Sequence, residues 1–198
     1  MLVTNILLVI PASPSRAERT RARILHTALG LFEAQGYRAT TVAQIASAAG
    51  VTSMTFFRHF PTKDSVLVTD PYDPVIAEAI AAQPLGLPAL ERVRRGFLAA
   101  LDAITPAEDA TARRRVTLTA GLPELRGAMA ASTQATQEAI VERLVEQGVD
   151  RLAAAVVTAA CLGGISAALL AWPTMDAEVT LETVVRHALD QLTVVDLL

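Results

Sequence analysis

The chain has 198 residues, 52% of them hydrophobic, and a formal net charge of −3. This length fits one large or two small domains, and the apolar share excludes an intrinsically disordered chain. The single cysteine, Cys161, excludes an intrachain disulfide, and the scarcity of aromatics beside abundant alanine and leucine favours helices over sheets. An all-α fold of about nine helices is the expectation, in a reducing cytoplasm. Charge is uneven along the chain. Residues 1–70 hold seven Arg and Lys against four Asp and Glu, whereas residues 71–198 hold ten against sixteen. A basic head on an acidic body suits a nucleic-acid binder.

Met1 to Ile10 is almost wholly apolar, lacks the basic start of a signal peptide and is too short to span a bilayer as a helix. Residues 1–15, closing on Pro11, Ser13, Pro14 and Ser15, are expected to form a disordered or loosely docked arm. Arg16 to Gln35 reads as the first helix, with Leu25, Leu29 and Phe32 on its apolar stripe and Gly36 as its stop. Arg16, Arg19, Arg21 and Arg23 crowd its start, where cations oppose the helix dipole, so either an external anion or a solvated basic face explains them.

Residues 40–63 read as two short helices joined by a tight turn. Val42, Ile45, Ala46 and Ala49 form one apolar face; Thr40 or Thr41 caps it, and Gly50 suits a left-handed turn. Thr52 caps the next helix, Ser53 to Phe60, which Pro61 stops. Phe56 and Phe60 lie one turn apart and face inward, which turns Ser53, Met54, Phe57 and Arg58 outward. The pattern is a helix-turn-helix whose second helix enters a DNA major groove.

Residues 19–69 resemble the N-terminal domain of the tetracycline-repressor (TetR) family. The resemblance rests on Ile24-Leu25, Ala28, Leu31-Phe32, Gly36-Tyr37, Thr40-Thr41-Val42, Ile45-Ala46, Ala49-Gly50-Val51, Thr55 to Phe60, Lys63 and Leu67. It implies a dimeric, ligand-responsive transcriptional regulator, usually a repressor, with a three-helix DNA-binding head at 16–69 and a ligand-binding and dimerisation body at 70–198. Ser53, Met54, Thr55 and Arg58, helped by Phe57 and capped by Thr52, are then expected to discriminate bases. Thr40, Thr41, His59 and Lys63 are expected to hold phosphates. The family often has tyrosine at the position of Phe57, which lacks the hydroxyl for that phosphate contact.

Thr62 is expected to cap a helix that begins at Lys63 and is interrupted by Asp70-Pro71-Tyr72-Asp73-Pro74, a hinge or a rigid bend. Helices are predicted over 74–82, 88–103, 106–120, 124–147, 150–172 and 181–192. Thr105-Pro106-Ala107-Glu108 is a capping box with proline at its first turn. Leu152 to Trp172 carries no charge and has transmembrane length, but its many alanines, with Thr158, Gly163, Gly164 and Ser166, favour the buried centre of a helical protein over a membrane span.

No glycine-rich phosphate loop and no Cys/His zinc pattern is present, and no catalytic constellation, metal or cofactor is expected. Phe97, Leu101, Leu118, Met129 and Trp172, with Gln134 and Thr158 as orienting groups, are candidates for an apolar effector pocket. The body also resembles, more loosely, a subgroup common in actinobacteria that responds to acyl-CoA effectors and includes a mycofactocin-gene regulator. That resemblance makes an acyl-CoA a candidate effector, with Arg92, Arg94, Arg95 and Arg113 to Arg115 meeting its phosphates. The expected partners are an operator duplex, a second copy of the chain and a small hydrophobic effector. The alternatives are a helical hydrophobic-ligand protein or enzyme with a structural head, and a helical scaffold.

Overall fold

The computed structural model describes residues 15–69, 73–102 and 104–192. The expected arm before Ser15 and the breakers Asp70 to Tyr72 lie outside the described residues. Ten α-helices are described: α1 (Arg16–Gln35), α2 (Val42–Ala48), α3 (Ser53–His59), α4 (Ser65–Val68), α5 (Asp73–Ala81), α6 (Ala89–Leu101), α7 (Pro106–Ala120), α8 (Arg126–Glu146), α9 (Arg151–Ala171) and α10 (Leu181–Asp190). Two short 3-10 turns, at Pro123–Leu125 and Trp172–Thr174, each carry a proline in the first turn, and no strand occurs among the described residues.

Local chemistry sets most boundaries. Ser15 and Glu18, Thr41 and Gln44, and Thr105 and Glu108 close reciprocal capping boxes at α1, α2 and α7. Thr52, Asp150 and Thr180 cap α3, α9 and α10 with side-chain oxygens. Gly36 and Gly50, at φ +85° and +63°, supply the left-handed residues after α1 and within the α2–α3 turn. α4 starts two residues later than expected. The Thr62 amide donates to Ser65 Oγ at 3.3 Å and the Ser65 amide to Thr62 Oγ1 at 3.1 Å, so Thr62 caps from one turn away while Lys63 and Asp64 stay in the turn.

The chain divides into two compact units, with the boundary between Val66 and Leu67. In the first, Ile24, Ala28, Leu29 and Phe32 of α1 meet Ile45, Ala46, Phe56 and Phe60, all buried. In the second, α5 packs on α6, and α9 packs on α6, α8 and α10. The α5–α6 crossing is close: a Cβ built on Gly96 would lie 2.6 and 2.7 Å from the backbone Cα and N of Ile80.

α9 is long and apolar enough to cross a membrane, with a mean hydropathy of 2.1 over its best window. It buries one face, Ala154, Thr158, Cys161, Leu162 and Ile165, in the second unit's core. The opposite face stays open, with Leu152 72%, Val156 58% and Leu170 50% exposed and Ala160, Gly163 and Ala167 between them. Burial pushes the Cys161 thiol up to about 11, which leaves it protonated and inert at neutral pH. A thiol-specific reagent at pH 7.5 should therefore label Cys161 only after denaturant is added, in one step that coincides with unfolding.

Candidate nucleic-acid interface and effector cavity

In the first unit α2 and α3 form the predicted helix-turn-helix. Phe56 and Phe60 are 0% and 2% exposed, ring centroids 5.8 Å apart, and pin α3 by its inner face. Ser53, Met54, Phe57 and Arg58 consequently face solvent, Met54 at 79% and Phe57 at 47% exposure. Two large apolar side chains held in water beside a serine and an arginine make a surface suited to base edges and thymine methyls. Thr52 and Thr55 are tied to one another, their hydroxyls 3.0 Å apart, at the start of α3.

Arg21, read from sequence only as part of the basic cluster, has a structural task. Its guanidinium donates to the His59 carbonyl at 2.6 Å and lies 4.3 Å from the Phe60 ring centroid, fastening the end of α3 to α1. Burial, then the Arg58 and Arg21 charges, hold His59 below its ordinary value, so its imidazole is neutral at pH 7.

Two residues expected on phosphates are occupied inside the unit. Thr40 is 1% exposed; its hydroxyl donates to the Gly36 carbonyl at 2.9 Å and accepts from Gln35 Nε2 at 3.1 Å. A phosphate cannot approach it, whereas the neighbouring N-cap Thr41 is exposed, its hydroxyl bonded to Gln44. Lys63 Nζ donates to the carbonyls of Tyr37 at 2.8 Å and Thr40 at 3.0 Å and stands 4.0 Å from the Tyr37 ring centroid. The Tyr37 hydroxyl in turn bonds to Asp64. Lys63 thus ties the α3–α4 turn to the α1–α2 turn. Lys63→Ala should lower head stability by about 2 kcal/mol, the scale of a charge-assisted hydrogen bond to a part-buried carbonyl. Thermal unfolding checks that loss. A salt titration of DNA affinity should return an unchanged slope, where loss of a phosphate contact would reduce it by about 1.

The second unit holds a cavity of about 240 Å³ among α4 to α10. Ile76, Phe97, Met129, Leu162, Ile165 and Leu169 give it apolar walls, and Ser132, Thr133 and Ser166 add hydroxyls. Of the residues expected there, Phe97 and Met129 line it. Leu101 lines a separate recess beside Thr105 and Thr180. Leu118 and exposed Gln134, whose amide bonds to Glu138 at 2.9 Å, are not on its wall. Thr158 is wholly buried, with a hydroxyl that has no partner among the described residues. Trp172 is also wholly buried and donates its indole N–H to the Val179 carbonyl at 2.8 Å.

Arg115, expected to meet effector phosphates, is on the wall, and so is Ser132, which the sequence pattern does not mark. Arg115 donates to the Leu67 carbonyl at 2.9 Å and the Thr69 carbonyl at 2.5 Å, and Ser132 Oγ donates to the Val68 carbonyl at 2.9 Å. Three successive carbonyls at and beyond the end of α4, which a four-residue helix cannot satisfy itself, are held by cavity side chains.

Four of the other arginines expected on phosphates hold partners within the chain. Arg92, 2% exposed, donates to the Gln147 side chain, whose amide donates to the Ala81 carbonyl at 2.8 Å. Arg94 bonds to the Leu189 carbonyl at 2.9 Å and pairs with Glu91 and Asp190, and Arg95 pairs with Glu91. The Arg95 and Arg94 hydrogen bonds hold Glu91 below the usual carboxylate range. Arg113 gathers the carbonyls of Trp172, Met175, Ala177 and Val179 over the Trp172 ring, and so fixes the α9–α10 connection rather than a ligand. None of these four lines the cavity.

Comparison with known proteins accords with this geometry. Residues 24–68 match the family model described as bacterial regulatory proteins, tetR family, and residues 87–195 match the MftR C-terminal domain. The HTH-type transcriptional regulator TcmR of Streptomyces glaucescens is 39% identical over 95 residues, 47% of this chain and 42% of that protein. The uncharacterized HTH-type regulator YerO of Bacillus subtilis (strain 168) is 37% identical over 49 residues, 25% of this chain and 17% of that protein. The chain thus spans less than half the length of the curated relatives it matches.

Solved structures share the fold. NalD, the secondary repressor of the MexAB-OprM multidrug efflux pump in Pseudomonas aeruginosa, aligns over 88% of this chain and 94% of its own, with TM-score 0.51 and 23% identity. FadR of Thermus thermophilus, in complex with lauroyl-CoA, covers 86% and 91%, with TM-score 0.50 and 24% identity. SmeT in complex with triclosan covers 87% and 89%, with TM-score 0.55 and 19% identity.

Proposed function

Because the chain belongs to the TetR family of bacterial regulatory proteins, we propose that it is a homodimeric transcriptional repressor, released from its operator by a compact apolar effector. The observation that carries the DNA-binding half is α3. Its inner face is locked by Phe56 and Phe60, and its outer face offers Ser53, Met54, Phe57 and Arg58 to a major groove. Thr41 and His59 flank that face and supply phosphate contacts. The work of such a protein is done in the cytoplasm, where the duplex is.

The open face of α9 supports the dimer. Leu152, Val156 and Leu170 are half or more exposed, with small uncharged residues between them, a surface that a second copy would cover in a two-fold pairing. One recognition helix per protomer then reads half-sites about 10 bp apart or a multiple of that. Val156→Asp should convert the dimer to monomers in sedimentation and abolish operator binding.

The cavity supports a small effector. About 150 Å³ of apolar cavity holds a benzene, so 240 Å³ has room for about ten heavy atoms. Triclosan in SmeT and lauroyl-CoA in FadR mark two routes on the shared fold. The compact route has more support here, since of the arginines expected on coenzyme A phosphates Arg92, Arg94 and Arg113 hold partners within the chain, Arg95 pairs with Glu91 at the surface, and cavity-lining Arg115 holds the carbonyls of Leu67 and Thr69.

Selecting bound duplexes from random DNA, then titrating naphthalene, which has about ten heavy atoms and so matches the cavity, lauroyl-CoA and free coenzyme A against the selected operator, tests the whole reading. Compact apolar compounds should weaken operator binding, and Ile165→Trp, which fills the cavity, should remove their effect. Release by lauroyl-CoA alone, with free coenzyme A competing, would transfer the effector role to the acyl-CoA. A purified chain that selects no sequence would overturn the regulator reading.

A further inference from the structure

α1 and α3 enclose an open cleft of about 770 Å³ in the first unit, and its walls carry one sign of charge. Arg16, Arg19 and Arg23 line it from α1, and Arg58 and His59 line it from α3, with Thr20, Thr52 and Thr55 between; no carboxylate is on the wall. Among the described residues Arg16, Arg23 and Arg58 have no ion-pair partner, although all three are exposed and Glu18 lies within reach in sequence. Glu18 is instead held by the Ser15 capping box, whose backbone and side-chain hydrogen bonds keep its carboxyl below the usual range. Cations at the start of a helix are unfavourable against its dipole. Arg16, at the first position of α1, therefore stands against the dipole, and Arg23 and Arg58 add unpaired positive charge along the same cleft.

We propose that this cleft is a second wall of the DNA interface, in which Arg16, Arg19 and Arg23 grip the sugar-phosphate strand beside the groove that α3 reads. The proposal rests on the DNA-binding reading above and extends the contact surface from the helix-turn-helix to α1. Arg16 and Arg23 are seven residues apart, about 10 Å along the helix axis. A DNA strand presents one charge per ~3.4 Å of duplex axis, and the long arginine side chains fan out from α1, so the three cations reach neighbouring phosphates of one strand. The cleft flanks α3 on the side of Thr52, Thr55 and His59, while Ser53, Met54 and Phe57 lie away from it. One backbone strand can therefore run between α1 and α3 while base edges meet the outer residues. A surface of this kind supplies affinity and register, and no base preference.

The test is the salt dependence of binding to sheared mixed-sequence duplex DNA, because the counterion term does not depend on sequence. Arg16→Gln, Arg19→Gln and Arg23→Gln are combined in one full-length variant. The control combines Arg143→Gln, Arg151→Gln and Arg186→Gln, exposed arginines of the second unit that change net charge equally. The α1 variant should lose about 2 to 3 from the slope of log affinity against log salt per bound head. The control should keep the wild-type slope, and base preferences in a selected pool should not move in either variant. Single Arg16→Gln and Arg23→Gln variants, checked by circular dichroism, should each lose about 1 and separate lost contacts from a misfolded head. A wild-type slope in the α1 variant, or equal losses in both triple variants, overturns the proposal while leaving the regulator reading intact. Wild-type protein without salt-dependent DNA binding overturns both.

Discussion

Gly96→Ala should destabilise the second unit by about 3 kcal/mol, at the upper end of what overpacking a core costs. For a chain of this size that is a fall of ~6–12 °C in the unfolding midpoint. The added methyl would meet Ile80 Cγ1 as well as the Cα and N of Ile80, at 2.6 and 2.7 Å. Two of those three atoms are backbone, so the clash cannot be relieved by a rotamer change, and α5 and α6 must separate. Val93, Phe97 and Ile80, all buried in the same cluster, then lose their packing together. Adding Ile80→Ala should not restore the midpoint, because the backbone contacts persist. Urea unfolding of both variants decides it, and a Gly96→Ala protein of wild-type stability would show that the two helices have slack between them.

Phe56→Ala should abolish operator binding without disturbing the second unit. Truncating a fully buried phenylalanine costs about 3–5 kcal/mol. A unit of ~50 residues has about 3–7 kcal/mol to lose at typical stability per residue. The head would then be partly or wholly unfolded at 25 °C, and apparent affinity falls with the folded fraction. Phe57→Ala is the companion variant. Its ring is 47% exposed and sits edge-on to Phe56, with centroids 5.6 Å apart, so the head should stay folded while affinity for the preferred sequence drops. Fluorescence of the lone tryptophan, Trp172 in the second unit, should be unchanged in both.

What the sequence reveals of this molecule depends on how local the cause is. Caps act over three residues, so Thr41, Thr52 and Thr105 mark their helices in the chain itself. The orientation of α3 is equally local, because Phe56 and Phe60 one turn apart fix which side faces in. Thr40 and Thr41 are adjacent and chemically identical, yet one is buried and the other exposed. Only the fold of the α1–α2 turn separates them. Lys63 has its partners 26 and 23 residues upstream, and Arg113 has its carbonyls about 60 residues downstream. No pattern in the chain tells a lysine or arginine that caps distant carbonyls from one that awaits a phosphate. The cavity wall is similarly opaque. Core and pocket share the same residue types at the same helical spacing, so Phe97 and Met129 cannot be told from Leu118 and Trp172 before the helices are assembled.

The hold of Arg115 and Ser132 on the carbonyls of Leu67, Val68 and Thr69 bears on how such a protein can be re-engineered as a biosensor. Both side chains border the cavity, so a library aimed at a new analyte would naturally include them. Each change there would also remove the support of α4, and variants would emerge with altered basal output whatever they bind. Met129, Thr133, Leu162 and Ser166 border the same space without that second duty. Diversity placed at those four positions should re-aim analyte preference while keeping the dynamic range of the parent, and the two clamp residues are better reserved for setting the threshold of the response.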